Sequence, residues 1–247
     1  MKVKMLPYKM GSQSAKVLAK ELGILRLYPN KTYYLNDTLL INWGSSLCNI
    51  HGDVKYINHP IFTSYATDKA LALGILKANG VPSLEFTYNK DEAQEWLLSG
   101  HQVMARKLLT SHSGNGCIYV SNGELPDARM YTKYFNGKYE YRVHVVNNKV
   151  IDVAQKKNKN GEDGNFKIRS YNNGWVFCRE GIFITEEVLN VSLFAVKALN
   201  LDIAAVDVRY KESTKEAVVL EVNTAPGLVG TTINSYVNAI KELINDY

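Results

Sequence analysis

An α+β fold, with antiparallel sheets carrying helices behind a smaller α/β lobe, is what this sequence predicts. Three observations lead there. The apolar spacing switches between the strand period of two and the helical period more than once along the 247 residues. The strand-like runs beyond Gly100 fall into neighbouring pairs joined by short polar turns, which favours antiparallel pairing. The first 65 residues instead break into short pieces separated by turn chemistry at Pro29-Asn30, Asn36-Asp37 and Gly44-Ser45-Ser46, the signature of a small separate lobe.

Taken in order, the first lobe contains strand-like runs such as Leu39 to Trp43. A helix is expected from about Asp68 to Asn79, with Thr67 as N-cap and Gly80 ending it, and Val81-Pro82 forces an extended exit. A second helix, Lys90 to Leu98, opens after Asn89 and carries Asp91 and Glu92 where the helix dipole favours negative charge. Gln102 to Leu109, Cys117 to Ser121 and Met130 to Phe135 are β-rich. Tyr139 to Val146 and Lys149 to Gln155 flank Asn147-Asn148, a tight hairpin turn. Val188 to Leu199 is helical, Leu201 to Tyr210 and Ala217 to Val222 form a second hairpin, and Ile233 to Ile244 closes the chain as an amphipathic helix.

Composition narrows the function classes. The three cysteines, at 48, 117 and 178, include no CxxC pair, and the five histidines have no metal-ligand spacing, so neither a disulfide framework nor a zinc site is indicated. No apolar stretch is long enough to span a bilayer, and the N-terminus alternates polar with apolar residues, unlike a signal peptide, so a cytoplasmic protein with no membrane partner is expected. A net charge of +5 and a pI near 8.9 suit phosphate-bearing ligands, from ATP up to nucleic acid, although the basic residues are dispersed.

Three constellations carry chemistry. Asp207 on one strand and Glu221-Val222-Asn223 on the next can converge if the strands pair, because residues two apart share a strand face. Two carboxylates and an amide oxygen make a hard donor set suited to magnesium held by nucleotide phosphates. The alternative, solvated acids on an edge hairpin, is opposed by their apolar flanks, Ile203 to Val206 and Val218 to Leu220. Second, Lys107 precedes a loop of small hydroxyl residues and glycines running to Gly116, whose N–H groups could close over phosphate oxygens. It is not a Walker P-loop, and by itself it reads as a hairpin loop. Third, Glu140-Tyr141-Arg142, Lys156-Lys157 and Lys167-Ile168-Arg169 supply the cations that phosphoryl transfer calls for.

Together these residues resemble the ATP-grasp superfamily, and most closely its ribosomal-protein glutamate ligase branch, from about Asn58 to the C-terminus. The matching elements are Asp68-Lys69, the loop from Lys107 to Gly116, Tyr131 to Tyr134, Glu140-Tyr141-Arg142 and Lys156-Lys157. They continue with Phe166 and Lys167 to Arg169, Ala205-Val206-Asp207 and Glu221-Val222-Asn223-Thr224-Ala225-Pro226-Gly227. The resemblance implies a small lobe over 1–65 and an ATP-grasp domain over 66–247, divided into 66–134 and 135–247. It implies that Lys69 and Lys107 grip the ATP phosphates and that Ser113, Gly114, Asn115 and Gly116 form a flap over them. Thr132, Lys133 and Tyr134 would hold adenine through backbone groups, and Glu140 the ribose. Lys156 or Lys157, Lys167 and Arg169 would lie near the γ-phosphate, with Arg142 close by, and Asp207, Glu221 and Asn223 would ligate two magnesium ions, with Mn²⁺ an alternative.

The chain departs from the family pattern at three places: Lys133 where an acid is usual, lysines in place of an arginine pair at 156 and 157, and Arg169 where asparagine is common. The implied activity is ATP-dependent joining of a carboxylate to an amine through an acyl phosphate. A phosphotransferase on the same fold, or a nucleotide-binding interaction protein without turnover, are the rival readings. The acid and the amine stay open between small molecule, peptide, protein tail and nucleobase, as do nucleic-acid binding and homo-oligomer formation.

Overall fold

The computed structural model describes residues 1–47, 49–109, 116–159 and 167–247. Cys48 and the expected flap residues Ser113, Gly114 and Asn115 lie outside them, as does Phe166; Gly116 lies inside.

The first lobe is more regular than the sequence suggests. Strands β1 (Lys2–Pro7), β2 (Leu25–Arg26), β3 (Tyr33–Trp43) and β4 (Ile50–Ile57) form a parallel sheet in the order β2-β1-β3-β4, with helix α1 (Gln13–Glu21) crossing between β1 and β2. The helix starts at Ser12, whose Oγ accepts the Ala15 N–H, and buries Ala15, Leu18 and Ala19 at helical spacing.

Two helices follow where one was expected. α2 (Pro60–Thr67) ends at Asp68, and α3 (Lys69–Ala78) begins there. The N-cap of α3 is therefore Asp68 and not Thr67: its Oδ1 accepts the N–H groups of Ala70 and Leu71, both at 3.0 Å. Gly80, at φ 69°, ends α3 as expected.

A second sheet, antiparallel, has the order β5-β8-β6-β7, built from β5 (Phe86–Thr87), β6 (Val103–Arg106), β7 (Cys117–Val120) and β8 (Met130–Lys133). Helix α4 (Lys90–Leu98), capped by Asn89, covers one face through Ala93 and Leu97. The third sheet is also antiparallel, in the order β11-β10-β9-β12-β13: β9 (Tyr139–Val146), β10 (Lys149–Asn158), β11 (Trp175–Cys178), β12 (Ile203–Lys211) and β13 (Glu216–Asn223). Asn147 and Asn148 both have positive φ, as a tight hairpin requires.

Strand alternation divides this third sheet. Tyr141, Val143 and Val145 of β9, with Val206 and Val208 of β12, pack against Val188, Val191 and Ala195 of helix α5 (Glu186–Ala198). Glu140, Arg142 and His144 therefore point to the other face. There helix α6 (Thr231–Asn245) brings Tyr236 against His144 and packs with α1, joining the first lobe to the sheet in one core that includes Met5, Leu18, Ile41, Trp43, Ile203 and Tyr236.

A buried polar joint reinforces that union. Asn58, at φ 61°, donates from Nδ2 to the Ile203 carbonyl and accepts at Oδ1 from the N–H groups of Asp202 and Ile203. Asp202 accepts the Asn58 N–H, and Asn42 donates to the Asn58 carbonyl.

Candidate functional site

The second and third sheets and the first lobe enclose a cleft of about 1120 Å³. Its deepest wall is the polar face of the third sheet, and register decides which side chains stand on it. Asp207 lies opposite Arg142 on one side and Glu221 on the other, while Arg209 lies opposite Glu140. A bulge does essential work here. The pairing Asp207 with Glu221 and Val208 with Val219 leaves Leu220 extra on β13. Ala217 and Val219 face α5; without the extra residue Glu221 would follow them, and with it Glu221 joins Asp207 and Asn223 on the cleft face.

The acids on this face are all engaged by cations. Arg142 grips Asp207 with two bonds, Nε to Oδ1 at 2.7 Å and Nη2 to Oδ2 at 2.8 Å, and stacks over Phe177. Lys69, the first residue of α3, places Nζ 2.5 Å from Glu221 Oε2, and Asn223 Nδ2 donates to Glu221 Oε1 at 3.1 Å. Burial pushes Glu221 up, but Lys69, Arg142 and Asn223 outweigh it and hold the carboxyl down at about 2.

Glu140 is buried among three cations. Lys156 Nζ lies 2.6 Å from Oε1, Arg209 Nη2 2.5 Å from Oε2, and Arg169 Nη1 3.9 Å from Oε2. Burial acts to raise this carboxyl as well, and Lys156, Arg209 and Arg169 bring it to about 2. Burial and the neighbouring Arg209 lower Arg169 to about 10. Both Glu140 oxygens are thus engaged by cations in this structure, in a network at the wall of the cleft. Arg209, which the sequence reading passed over, is the second half of that network. Gly137 makes room for it: a Cβ there would stand 2.6 Å from Arg209 Cγ, and the Gly137 carbonyl accepts from Arg169 Nη2.

Among the expected nucleotide contacts, Lys69, Thr132, Lys133, Tyr134 and Lys167 line the cleft together with Arg142, Lys156, Arg169, Asp207, Glu221 and Asn223. Lys167 sits over the rings of Tyr119 and Tyr134, at 4.9 and 5.2 Å. Leu84, Met104 and Leu220 give this end an apolar wall. In the segment expected to hold adenine, the N–H groups of Lys133 and Tyr134 already donate to the carbonyls of Glu85 and Gln102, and Lys133 Nζ pairs with Glu85 at 2.6 Å.

Two expected residues do not reach the cleft. Lys107 is exposed beyond the end of β6, where its charge acts on Asp127. Its neighbour Arg106 takes the inward place, because Met104 and Arg106 share the β6 face that lines the cleft. Arg106 donates from Nη1 to Cys117 Sγ at 3.4 Å, and its buried Nε has no hydrogen-bond partner among the described residues. Lys157 likewise faces away from Lys156 and donates to the carbonyls of Glu180 and Gly181. Gly116, at φ 72°, closes the base of the loop by accepting the Lys107 N–H.

A cleft between an antiparallel sheet and a second, larger one, lined by paired acids and cations, is the architecture of the ATP-grasp fold, and solved structures share that fold. The ATP-grasp ligase PsnB complexed with minimal precursor, Mg and ADP superposes with a TM-score of 0.68 at 12% identity, covering 97% of this chain and 96% of that one. A RimK domain ATP-grasp protein from Sphaerobacter thermophilus gives 0.67 at 12% identity, with 98% of both chains covered. D-alanine–D-alanine ligase from Bacillus anthracis gives 0.63 at 15%, covering 99% of this chain and 96% of its own. Within this fold, residues 129–246 match the family model described as the RimK-like ATP-grasp domain. Probable alpha-L-glutamate ligase 1 of Shewanella sp. (strain MR-4) is 27% identical over 190 residues, 70% of this chain. A probable alpha-L-glutamate ligase of Alkalilimnicola ehrlichii is 26% identical over 191 residues. The match spans 60% of the length of each of these relatives.

Proposed function

We propose that the chain is an ATP-dependent carboxylate–amine ligase that activates its acid as an acyl phosphate. The observation that carries this reading is the bulged β12–β13 pair, which sets Asp207, Glu221 and Asn223 on one cleft face beside Arg142, Lys69 and Lys156. Among the described residues no three His, Cys, Asp or Glu side chains cluster as metal ligands. The donor set is instead two carboxylates plus the Asn223 amide oxygen, whose nitrogen is turned toward Glu221. These hard oxygen donors fit magnesium, or Mn²⁺, shared with a nucleotide, and two ions are the count we propose. When bound, the metal neutralises charge on the ATP phosphates.

The chain's own residues do the rest. Arg106, Lys69 and Lys167 hold the phosphate chain, and the apolar wall of Leu84, Met104 and Leu220 receives the base. A carboxylate oxygen of the substrate bonds to the γ-phosphorus as the bond to the β-bridging oxygen breaks, and ADP leaves with that electron pair. The amine nitrogen then bonds to the acyl carbon, phosphate departs, and the ammonium proton passes to solvent. Arg142, Lys156 and Arg169 are placed to stabilise the charge that develops on the transferring group and on the acyl oxygen. Positioning and electrostatics suffice, without a protein nucleophile.

The substrates on this reading are a small-molecule or peptide carboxylate and an amine, entering between the third sheet and the loop Gly44 to Leu47 of the first lobe. We divide the chain at 65/66 and 134/135, following the three sheets. No helix among the described residues is long and apolar enough to cross a membrane. The cytoplasm, where ATP is supplied, is the location we propose.

Nucleotide chromatography tests the mechanism. With the right acid and amine, ADP and phosphate should appear in step with amide, and hydroxylamine should trap the activated acid as a hydroxamate. AMP and pyrophosphate as main products would overturn it.

A further inference from the structure

Each carboxylate of the candidate metal site already has a protein counter-ion, and the two counter-ions are not equally held. Arg142 grips Asp207 with two parallel bonds and is pinned over Phe177, a rigid arrangement. Lys69 reaches Glu221 through a single ammonium on a flexible stem, from the first turn of α3. Two acids against two cations leave this corner without the net negative charge that would draw a hydrated divalent ion out of water. A triphosphate changes the balance. It carries several negative charges into the same cleft, and an ammonium is a point charge that can turn from one partner to another.

Building on the metal assignment above, we propose that Lys69 is a displaceable counter-ion: it keeps divalent metal from the Glu221–Asn223 site until a nucleotide draws its ammonium away. Metal binding is then conditional on nucleotide. Lys69 acts as a positioning residue, through Glu221, in addition to its contact with phosphate. The capping of α3 by Asp68 matters for the same reason, since it fixes the point from which Lys69 swings between the two partners.

The test reads Mn²⁺ directly, by loss of the electron paramagnetic resonance signal of the free aquo ion. In wild-type protein Mn²⁺ should bind at least about tenfold more weakly without nucleotide than with ADP. Lys69→Met, or Lys69→Gln should the first fold poorly, should bind Mn²⁺ without nucleotide at least about tenfold more tightly than wild type. Lys69→Arg should restore the wild-type exclusion, and adding Glu221→Gln to Lys69→Met should abolish the gained binding. Equal Mn²⁺ affinity of wild type and Lys69→Met without nucleotide, both weakened by Glu221→Gln, would overturn the counter-ion role and leave the metal site standing. Unchanged Mn²⁺ binding in Glu221→Gln with ADP present would remove the metal site itself, and the inference with it.

Discussion

Arg106 and Lys107 differ by one position: Arg106 is the last residue of β6, facing the cleft, and Lys107 stands exposed just past its end. Arg106 shares the inward face with Met104 and keeps a buried Nε without a partner among the described residues, the state of a donor waiting for an anion. Arg106→Ala should therefore raise the KM for ATP at least about tenfold, the cost of one charge-assisted phosphate contact, while Lys107→Ala should stay within about twofold of wild type. Steady-state kinetics on the two variants checks this, and the reverse order would return the role to Lys107. The adjacent basic residues look equivalent in a sequence. Only the strand's phase tells them apart, and that phase is set by pairing with Met130 and Cys117 across the sheet. Glu221 shows the same limit from the other side. Its place beside Asn223 was legible in the Glu-Val-Asn spacing, but its face depends on the unpaired Leu220, which alternation alone cannot reveal.

Among elements, the break between α2 and α3 has the clearest consequence. Asp68 closes the first turn of α3 with two accepted N–H bonds, so Asp68→Ala should lower stability by about 1 kcal/mol, as loss of an N-cap does, and Asp68→Asn should recover most of it. Because Lys69 is the next residue, Asp68→Ala should also raise the KM for ATP more than its effect on stability explains. Chemical denaturation and kinetics together separate the two effects. The hairpins were readable from their turns, since Asn147-Asn148 tolerate the positive φ that a tight turn needs. Helix α1 was not read, although Ser12 and the spacing of Ala15, Leu18 and Ala19 carry the signal. At nine residues it is too short to hold as an isolated helix despite its helix-favouring composition, and the sheet and α6 supply the packing that stabilises it. Parallel pairing in the first lobe was equally hidden, because it joins β1 to β3 across an intervening helix.

For the molecule as a whole, buried ionisable groups predict how stability varies with pH. Burial, aided by Arg142 and Arg179, lowers His144 from 6.5 to about 3, so the folded protein keeps it neutral while the unfolded chain takes up a proton below 6.5. Glu140 and Glu221, each lowered from 4.5 to about 2, stay ionised in the folded protein while the unfolded chain protonates them below 4.5. In all three cases the unfolded state binds more protons as pH falls, so stability should decline in two stages. The first begins near 6.5 and the second, steeper, near 4.5, with each group worth on the order of a few kcal/mol. Melting curves across this range provide the measurement. His144→Gln should remove the first stage and leave the second, and an unaltered first stage would assign it elsewhere.

The joint at Asn58 bears on how such a protein could be rebuilt. One amide side chain reads the backbone of Asp202 and Ile203 with both its donor and its acceptor, and it does so from a left-handed conformation that few residues adopt comfortably. The first lobe is consequently keyed to the end of β12, and it is no interchangeable cassette. A transplanted lobe from a relative would have to carry its own key to that lock, and the partners at 202 and 203 would have to be cut to match.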